Sequence, residues 1–354
     1  MSSKSLKILL VGSGGRSSVS NISDTAADDY PRLVQLSQTL GMSLVVAGLD
    51  QAVVDGIEGY FRGSGIPCFA PSKEAADIEG SKTFAKAFME RHAIPTAAYK
   101  TFTRYSIAKQ YTPTIDDHHR VVIKVDGLAA GKGVILPVSQ NEAHRTLEEI
   151  MLEGKFGAEV GSSIVIEEYM TGDEISILTF SDGKTTRTLP PCQDHKRAYD
   201  GDRGPYTGGM GVYTPVPFVT AADMEAIETQ ILQPTFRGLE AEGRPFMGML
   251  FTGVMLTSEG PKVIEYNARF GDPETQALMP LLRDTDLAEV LLAYVRIFHA
   301  GTKYIDGQLV VAGGRVFSVS ANGPTLRDAV DAAYSGVKSI RVDGTFYRTD
   351  IASR

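Results

Sequence analysis

The sequence predicts an α/β fold at the N-terminus joined to α+β units further along, and three observations predict it. Short apolar runs alternate with helical periodicity over the first 100 residues, the pattern of a parallel sheet. From Val121 the pattern changes to two apolar strands joined by a glycine-rich loop and followed by an amphipathic helix. Near residue 250 two strands flank a turn and read as an antiparallel hairpin. The chain therefore divides into an N-terminal parallel-sheet domain (1–100), a small lid (113–185), a central unit (186–296) and a short C-terminal α/β domain (297–354).

Leu6–Val11 is the first strand and ends in Gly12-Ser13-Gly14-Gly15. This opens like a dinucleotide fingerprint but lacks its third glycine, so it is a weak signal for NAD. Ser17–Asp29 is polar where a helix is expected. Pro31–Leu40 has helical spacing, Leu44–Ala47 is a buried strand, Val53–Arg62 reads as one helix and Ile66–Phe69 as a third strand. Ser81–His92 places Phe84, Ala85, Phe88 and Met89 on one helical face. Thr101–Arg120 reads as a connector. Val121–Val125 and Val134–Val138 are strands, and Ser139 with Glu142 forms a capping box for a helix carrying Ala143, Leu147, Ile150 and Met151. Ile164–Tyr169 is a strand that turns at Thr171-Gly172-Asp173. Residues 190–215 have little regular pattern, and a long irregular segment in a compact domain is often functional. Thr220 and Asp223 cap a helix with Met224, Ile227 and Ile231 on its face. Phe251–Leu256 and Lys262–Asn267 pair across Ser258-Glu259-Gly260-Pro261, Leu287–Val295 reads as a helix, and Gln308–Val311 and Arg315–Ser320 are strands.

Composition narrows the function. The net charge of −8 gives no basic excess to replace counterions on a nucleic acid, so any phosphate-bearing ligand must meet locally placed cations. Two cysteines, Cys68 and Cys192, lie far apart without metal-ligand spacing, which fits a reducing compartment. No apolar run reaches membrane-spanning length and no signal peptide opens the chain. The expectation is a cytoplasmic protein acting on small molecules as a monomer or homodimer, without nucleic acid or membrane partners.

The chemistry concentrates in residues 262–274. Alternation along a strand puts Glu265, Asn267 and Arg269 on one face and Ile264, Tyr266, Ala268 and Phe270 on the other. A carboxylate and an amide oxygen suit a magnesium ion shared with a polyphosphate, and Arg269 could fork onto the phosphoryl group. The plainer alternative is an exposed strand whose Glu and Arg pair at the surface. Phe270-Gly271-Asp272-Pro273-Glu274 then adds a turn and two more carboxylates.

Further groups gather around this row. Lys124 lies inside an apolar strand and needs an anion, or must snorkel to a surface carboxylate. Gly127, Gly131 and Gly133 flank Lys132 and could bring amides close to a phosphate, although the spacing is not that of a Walker loop and a tight turn would use the same residues. Glu167 and Glu174 could accept from an adenine amino group and ribose hydroxyls, with the backbone of Tyr169 and Met170 reading the purine edge; otherwise they are surface carboxylates. Asp194, His195, Lys196 and Arg197 mix charge in an irregular loop that could hold a zwitterion, and His195 taken singly reads as structural.

Together these segments resemble the ATP-grasp ligases, and within them the glycinamide ribonucleotide synthetases. The resemblance rests on Glu79-Gly80-Ser81-Lys82, Val122–Val134, Gln193-Asp194-His195-Lys196-Arg197, Thr207–Gly211 and Glu265–Gln276, and covers about residues 66–295. It implies an ATP-grasp fold and a two-step reaction: ATP phosphorylates the carboxylate of glycine, and an amine captures the acyl phosphate as an amide. It further implies ATP and Mg²⁺ (or Mn²⁺) as cofactors, and de novo purine biosynthesis as the setting. Lys82, Lys124 and the glycine loop would hold the ATP phosphates, Lys132 would join the catalytic set, and Glu167, Tyr169, Met170 and Glu174 would hold adenosine. Glu265 and Asn267 would hold the metal. Asp194, His195, Lys196, Gly209, Met210, Arg269, Gly271 and Asp272 would surround the amino acid and acyl phosphate. The chain departs from the family pattern after Arg16, at Gly48-Leu49-Asp50 and at Tyr206, and is shorter after Arg16 and around Val295. Two other readings stand beside this one: a paralogous ligase using a different amine, and a non-catalytic nucleotide-binding regulator.

Overall fold

The computed structural model describes residues 7–11, 22, 25–112, 120–129, 132–157, 160–281, 295–299, 302–305, 308–311, 314–342 and 344–353. The N-terminal sheet is parallel, in the order β1 (Ile8–Val11), β2 (Leu44–Ala47), β3 (Cys68–Phe69). Helix α1 (Tyr30–Leu40) follows β1 in the chain, with Asp29 accepting from the Arg32 amide at its start. The single helix expected over Val53–Arg62 is two, α2 (Asp50–Val54) and α3 (Ile57–Ser64). Gly56 separates them at φ 87°, a conformation that ends a helix and favours glycine. Helices α4 (Lys73–Gly80) and α5 (Lys82–Arg91) share Ser81 as the end of one and the cap of the next.

The lid sheet runs in the order β4 (Tyr99–Phe102), β7 (Ile164–Glu168), β5 (Val121–Val125), β6 (Val134–Ile135). Helices α6 (Tyr105–Tyr111) and α7 (Gln140–Met151) pack on it through a core of its own that includes Phe102, Ile123, Leu147, Ile150 and Ile166. Thr101–Arg120, expected as a mixed connector, contains part of β4 and all of α6. In the capping box of α7, Ser139 accepts from the Glu142 amide, but the Glu142 carboxylate reaches the amide of Val138 rather than that of Ser139.

The central sheet is antiparallel, in the order β15 (Gly260–Asn267), β14 (Met247–Thr257), β8 (Asp173–Asp182), β9 (Thr186–Thr188). Its pairing corrects the lid boundary expected at 185, because β8 pairs with β14 along its whole length, from Met247–Asp182 to Leu256–Asp173. Two short ribbons lie in the stretch that lacked a sequence pattern: β10 (Gln193–Asp194) with β13 (Val212–Tyr213), and β11 (Arg197–Tyr199) with β12 (Arg203–Tyr206). Helix α8 (Ala221–Ile227), with both halves of its capping box formed, passes through a π-helical turn at Glu228–Leu232 into α9 (Gln233–Ala241). Pro234 has no N–H to donate to the preceding turn, which accounts for the local widening. The large core joins the N-terminal and central parts, with Ile57, Phe61, Ile78 and Phe88 in one cluster with Ile177, Leu250, Val263 and Tyr266.

Helix α10 (Glu274–Leu278) follows the central hairpin. Beyond it, β16 (Val295–His299) pairs with β19 (Phe317–Ala321), β17 (Thr302–Ile305) pairs with β18 (Gln308–Val311), and α11 (Leu326–Ser339) follows. Most of the helix expected over Leu287–Val295 lies outside the described residues, and Val295 itself begins a strand. Among the described residues no helix is long and apolar enough to cross a membrane.

Candidate active site

The row on β15 forms as the alternation predicts, with one adjustment. A bulge opposite Gly253–Val254 leaves Ile264 unpaired, so Val263 is fully buried and Ile264 only half-buried. After the bulge the alternation resumes: Tyr266 and Ala268 are buried, while Glu265, Asn267 and Arg269 stay partly open. The bulge also leaves the Ile264 carbonyl available, and Lys124 Nζ donates to it at 2.8 Å.

Lys124 finds its anion inside the protein. Its ammonium lies 3.0 Å from Glu167, whose carboxylate also meets Lys86 at 3.2 Å. All three side chains are at most 4% exposed. This corrects the assignment of Glu167 to adenosine: its carboxylate is the buried counter-ion of two lysines and is closed to a ribose. Burial lowers Lys86 to about 8, against the opposing pull of Glu167.

Lys82, at the start of α5, faces Glu265 at 3.4 Å. Burial would raise the Glu265 carboxyl, but Lys82, Lys124 and Lys196 outweigh it and hold it below its ordinary value. Lys82 is thus brought to Glu265 directly, and Lys124 and Lys196 act on it through their charge. Lys196 pairs with Asp194 at 2.8 Å. Burial alone would lower the Lys196 ammonium; Asp194, Glu274 and Glu174 reverse this and raise it. Burial, opposed by Lys196 and reinforced by Glu265, Asp194 and Glu274, pushes Glu174 up to about 7. Glu174 thus belongs to the Lys196 cluster. Glu274, which accepts from Ser176 at 3.1 Å, is a fully enclosed member that the sequence had placed only as a neighbouring carboxylate.

Gly209 is buried at φ 121°, and a Cβ there would lie 2.6 Å from Asp194 Oδ2. The Asp194 carboxylate is 1% exposed, and neither oxygen accepts a hydrogen bond among the described residues apart from its ion pair with Lys196. His195 does not face this space. Its ring is buried, tilted against Tyr213, with Nδ1 3.2 Å from the Gly211 carbonyl, and burial lowers its pKa so that it stays neutral and ties the loop together. The Met210 amide donates to the His195 carbonyl. Asp272 is held by Arg315 at 2.8 Å and by Gln276 at 2.9 Å, and Arg315 also donates to the Gly208 carbonyl beside Gly209. Gly271 packs on Glu274, where a Cβ would come within 2.6 Å of its carboxylate.

In the lid, Gly127 has φ 99° and Gly133 abuts Ala129, whereas Gly131 lies outside the described residues. Lys132 is exposed, and no described contact joins its ammonium to the cleft. The Tyr169 amide donates to the Arg120 carbonyl, and its ring carries the Arg120 guanidinium at 3.8 Å. That amide is engaged within the protein, which leaves the Tyr169 carbonyl and the Met170 backbone as the groups for a purine edge.

Two residues escaped the sequence reading. Asp126, at the start of the glycine loop, accepts from Ser81, from Thr83 and from Ser163, and so ties the lid to the beginning of α5 beside Lys82. Glu79, 1% exposed, accepts from Asn267 Nδ2 at 3.0 Å and the Ala268 amide at 2.7 Å, and meets Arg269 Nε at 3.2 Å. The motif Glu79–Lys82 contained it, but only the fold brings it to Asn267, 188 residues further along the chain. With Nδ2 committed to Glu79, Asn267 has its oxygen left to offer. An ionised carboxylate and an amide oxygen fit a hard divalent cation, and the surrounding ammonium groups fit a polyphosphate.

Comparison with known proteins gives the following. The family descriptions of phosphoribosylglycinamide synthetase match in three consecutive parts: the N domain over residues 8–79, the ATP-grasp (A) domain over 80–275 and the C domain over 281–354. The bifunctional purine biosynthetic protein ADE1 of Schizosaccharomyces pombe is 47% identical over 387 residues, covering 96% of this chain and 48% of that protein. The chain thus spans about half the length of this curated relative. The phosphoribosylamine–glycine ligase of Caulobacter vibrioides is 39% identical over 424 residues, covering 99% of this chain and 98% of that protein. Both alignments are longer than the 354-residue chain, so the relatives carry stretches that it lacks. The crystal structure of phosphoribosylamine–glycine ligase from Thermotoga maritima superposes with a TM-score of 0.74 at 30% identity, covering 87% of this chain and 85% of that one. The expected ATP-grasp architecture is the one found.

Proposed function

Because the chain belongs to the phosphoribosylglycinamide synthetase family, we propose that it joins glycine to 5-phosphoribosylamine, with ATP converted to ADP and phosphate. The observation that carries this reading is Lys82 facing Glu265 at 3.4 Å, with Lys124 on the adjoining Ile264 carbonyl at 2.8 Å and the charges of Lys82, Lys124 and Lys196 holding Glu265 below its ordinary value. Phosphoryl transfer needs positioning and charge neutralisation rather than a protein nucleophile, and this set supplies both.

Lys82 holds the polyphosphate, and Lys124, enclosed between Glu167 and the Ile264 carbonyl, adds its positive charge. Glu265 and the Asn267 oxygen would hold a divalent cation, which would supply further neutralisation of the polyphosphate charge. Arg269, partly exposed beside the row, forks onto the phosphoryl group as it passes from ATP to the glycine carboxylate. Asp194 receives the glycine ammonium and Lys196 its carboxylate. The amine nitrogen then attacks the acyl carbon, phosphate departs, and the nitrogen gives up a proton as the amide forms. The lid keeps water from the acyl phosphate in the interval. On this reading the protein acts on small molecules in purine biosynthesis, the pathway in the name of its S. pombe relative, and works in the cytoplasm.

A second reading, a paralogue with another amine, is favoured by Tyr206. This residue departs from the family pattern, and its half-exposed ring carries the Arg197 guanidinium at 4.1 Å. ADP release with glycine plus phosphoribosylamine, then with other amines and amino acids, separates the two. Release only with another amine establishes the paralogue, and no release with any pair removes both.

A further inference from the structure

We propose that Glu79 is a positioning residue that fixes which end of the Asn267 amide faces the metal; the inference rests on the metal reading of Glu265 and Asn267. The carboxylate serves two sides at once. Oε2 accepts from the Ala268 amide at 2.7 Å, while Oε1 accepts from Asn267 Nδ2 at 3.0 Å and meets Arg269 Nε at 3.2 Å. Three consecutive residues of the site are therefore set by one buried side chain, which comes from the end of α4.

Burial pushes the carboxyl up, and Arg269, the Ala268 amide and Lys82 oppose it. Among the described contacts every group on the two oxygens is a donor. An amide at position 79 cannot reproduce this, since it offers one acceptor and one NH₂. If its oxygen stays on the Ala268 amide, its NH₂ confronts Asn267 Nδ2. The Asn267 amide then turns over, its oxygen goes to residue 79, and its NH₂ replaces the oxygen offered to the cation. An NH₂ cannot ligate a hard cation. If the amide at 79 is instead reversed, the buried Ala268 N–H loses its acceptor, which is costly in a site closed to water.

The test reads metal binding without turnover. Mn²⁺ is titrated by electron paramagnetic resonance in the presence of a non-hydrolysable ATP analogue, on the full chain, with the melting temperature recorded in parallel. Glu79→Gln is expected to weaken Mn²⁺ binding about 10–100-fold, the usual effect of losing an outer partner of a metal ligand. Asn267→Asp in the same background should restore most of that affinity. The NH₂ introduced by Glu79→Gln would then donate to a carboxylate, which has oxygen at both ends and cannot be turned wrongly. Asn267→Asp alone sets two carboxylates face to face and should lower the melting temperature, with recovery in the double variant, so the argument holds a readout even where Glu79→Gln alone folds poorly. Unchanged Mn²⁺ affinity in Glu79→Gln, or a double variant no better than either single one, overturns the role of Glu79. Absence of Mn²⁺ binding in the unaltered protein instead overturns the metal reading beneath it.

Discussion

Replacing Glu167 by Gln should destabilise the protein by about 3–5 kcal/mol at neutral pH, the range for removing one partner from a buried ion pair. The side chain keeps its size, so the loss is electrostatic rather than a cavity. Lys86 and Lys124, 3.2 and 3.0 Å away and almost wholly enclosed, would lose the only anion that either meets within ion-pair distance among the described residues. The loss should also depend on pH, because burial has already lowered Lys86 to about 8. Its unfolded value is about 10.4, so the unfolded chain binds more protons between the two values and stability rises with pH across that window. Without Glu167 the folded value falls further and the window opens at lower pH. The variant should therefore recover relative to the unaltered protein by about 1 kcal/mol between about pH 7 and pH 9.5, since one pKa unit corresponds to about 1.4 kcal/mol. Urea unfolding of both proteins at the two pH values measures this directly. A loss below about 1 kcal/mol at neutral pH, or a difference that does not narrow as the pH rises, would refute the account of this triad.

Glu265→Gln should lower ADP release at least about 100-fold while the melting temperature barely moves; unaltered turnover would remove Glu265 from the metal site. Gly209→Ala places a Cβ 2.6 Å from Asp194 and 2.7 Å from Pro273 in a left-handed conformation, and should raise KM for the amino acid about tenfold with little change for ATP. An equal rise for both substrates would move Asp194 out of the amino-acid site.

What was legible in the sequence was whatever repeats locally. Period-two alternation placed Glu265, Asn267 and Arg269 on the open side of β15, and the hairpin it belongs to followed from the turn at Ser258–Glu259. The capping pair Thr220 and Asp223 marked the start of α8. Tyr99–Phe102 escaped because an edge strand carries few apolar residues: Lys100 and Thr101 are both exposed. Residues 173–182 fall inside the expected lid for a different reason, since the sheet they join depends on the distant partner β14 and leaves no mark on β8 itself.

The counter-ions show the same limit more sharply. A lysine in Val121–Val125 announces that an anion must exist, because a bare ammonium in an apolar strand is too costly. It does not announce which anion. Before the fold is known, a ligand phosphate and the carboxylate of Glu167 satisfy the requirement equally, and so do a ribose hydroxyl and Lys124 as partners for Glu167. Only the register of β5 against β7, which sets Lys124 opposite Val165 and Val122 opposite Glu167, decides between them. On the proposed reading, Lys82, Lys124 and Lys196 are each held by a carboxylate, Glu265, Glu167 and Asp194, before the ligand arrives. Those holding residues are therefore as much a part of the site as the groups that touch the substrate.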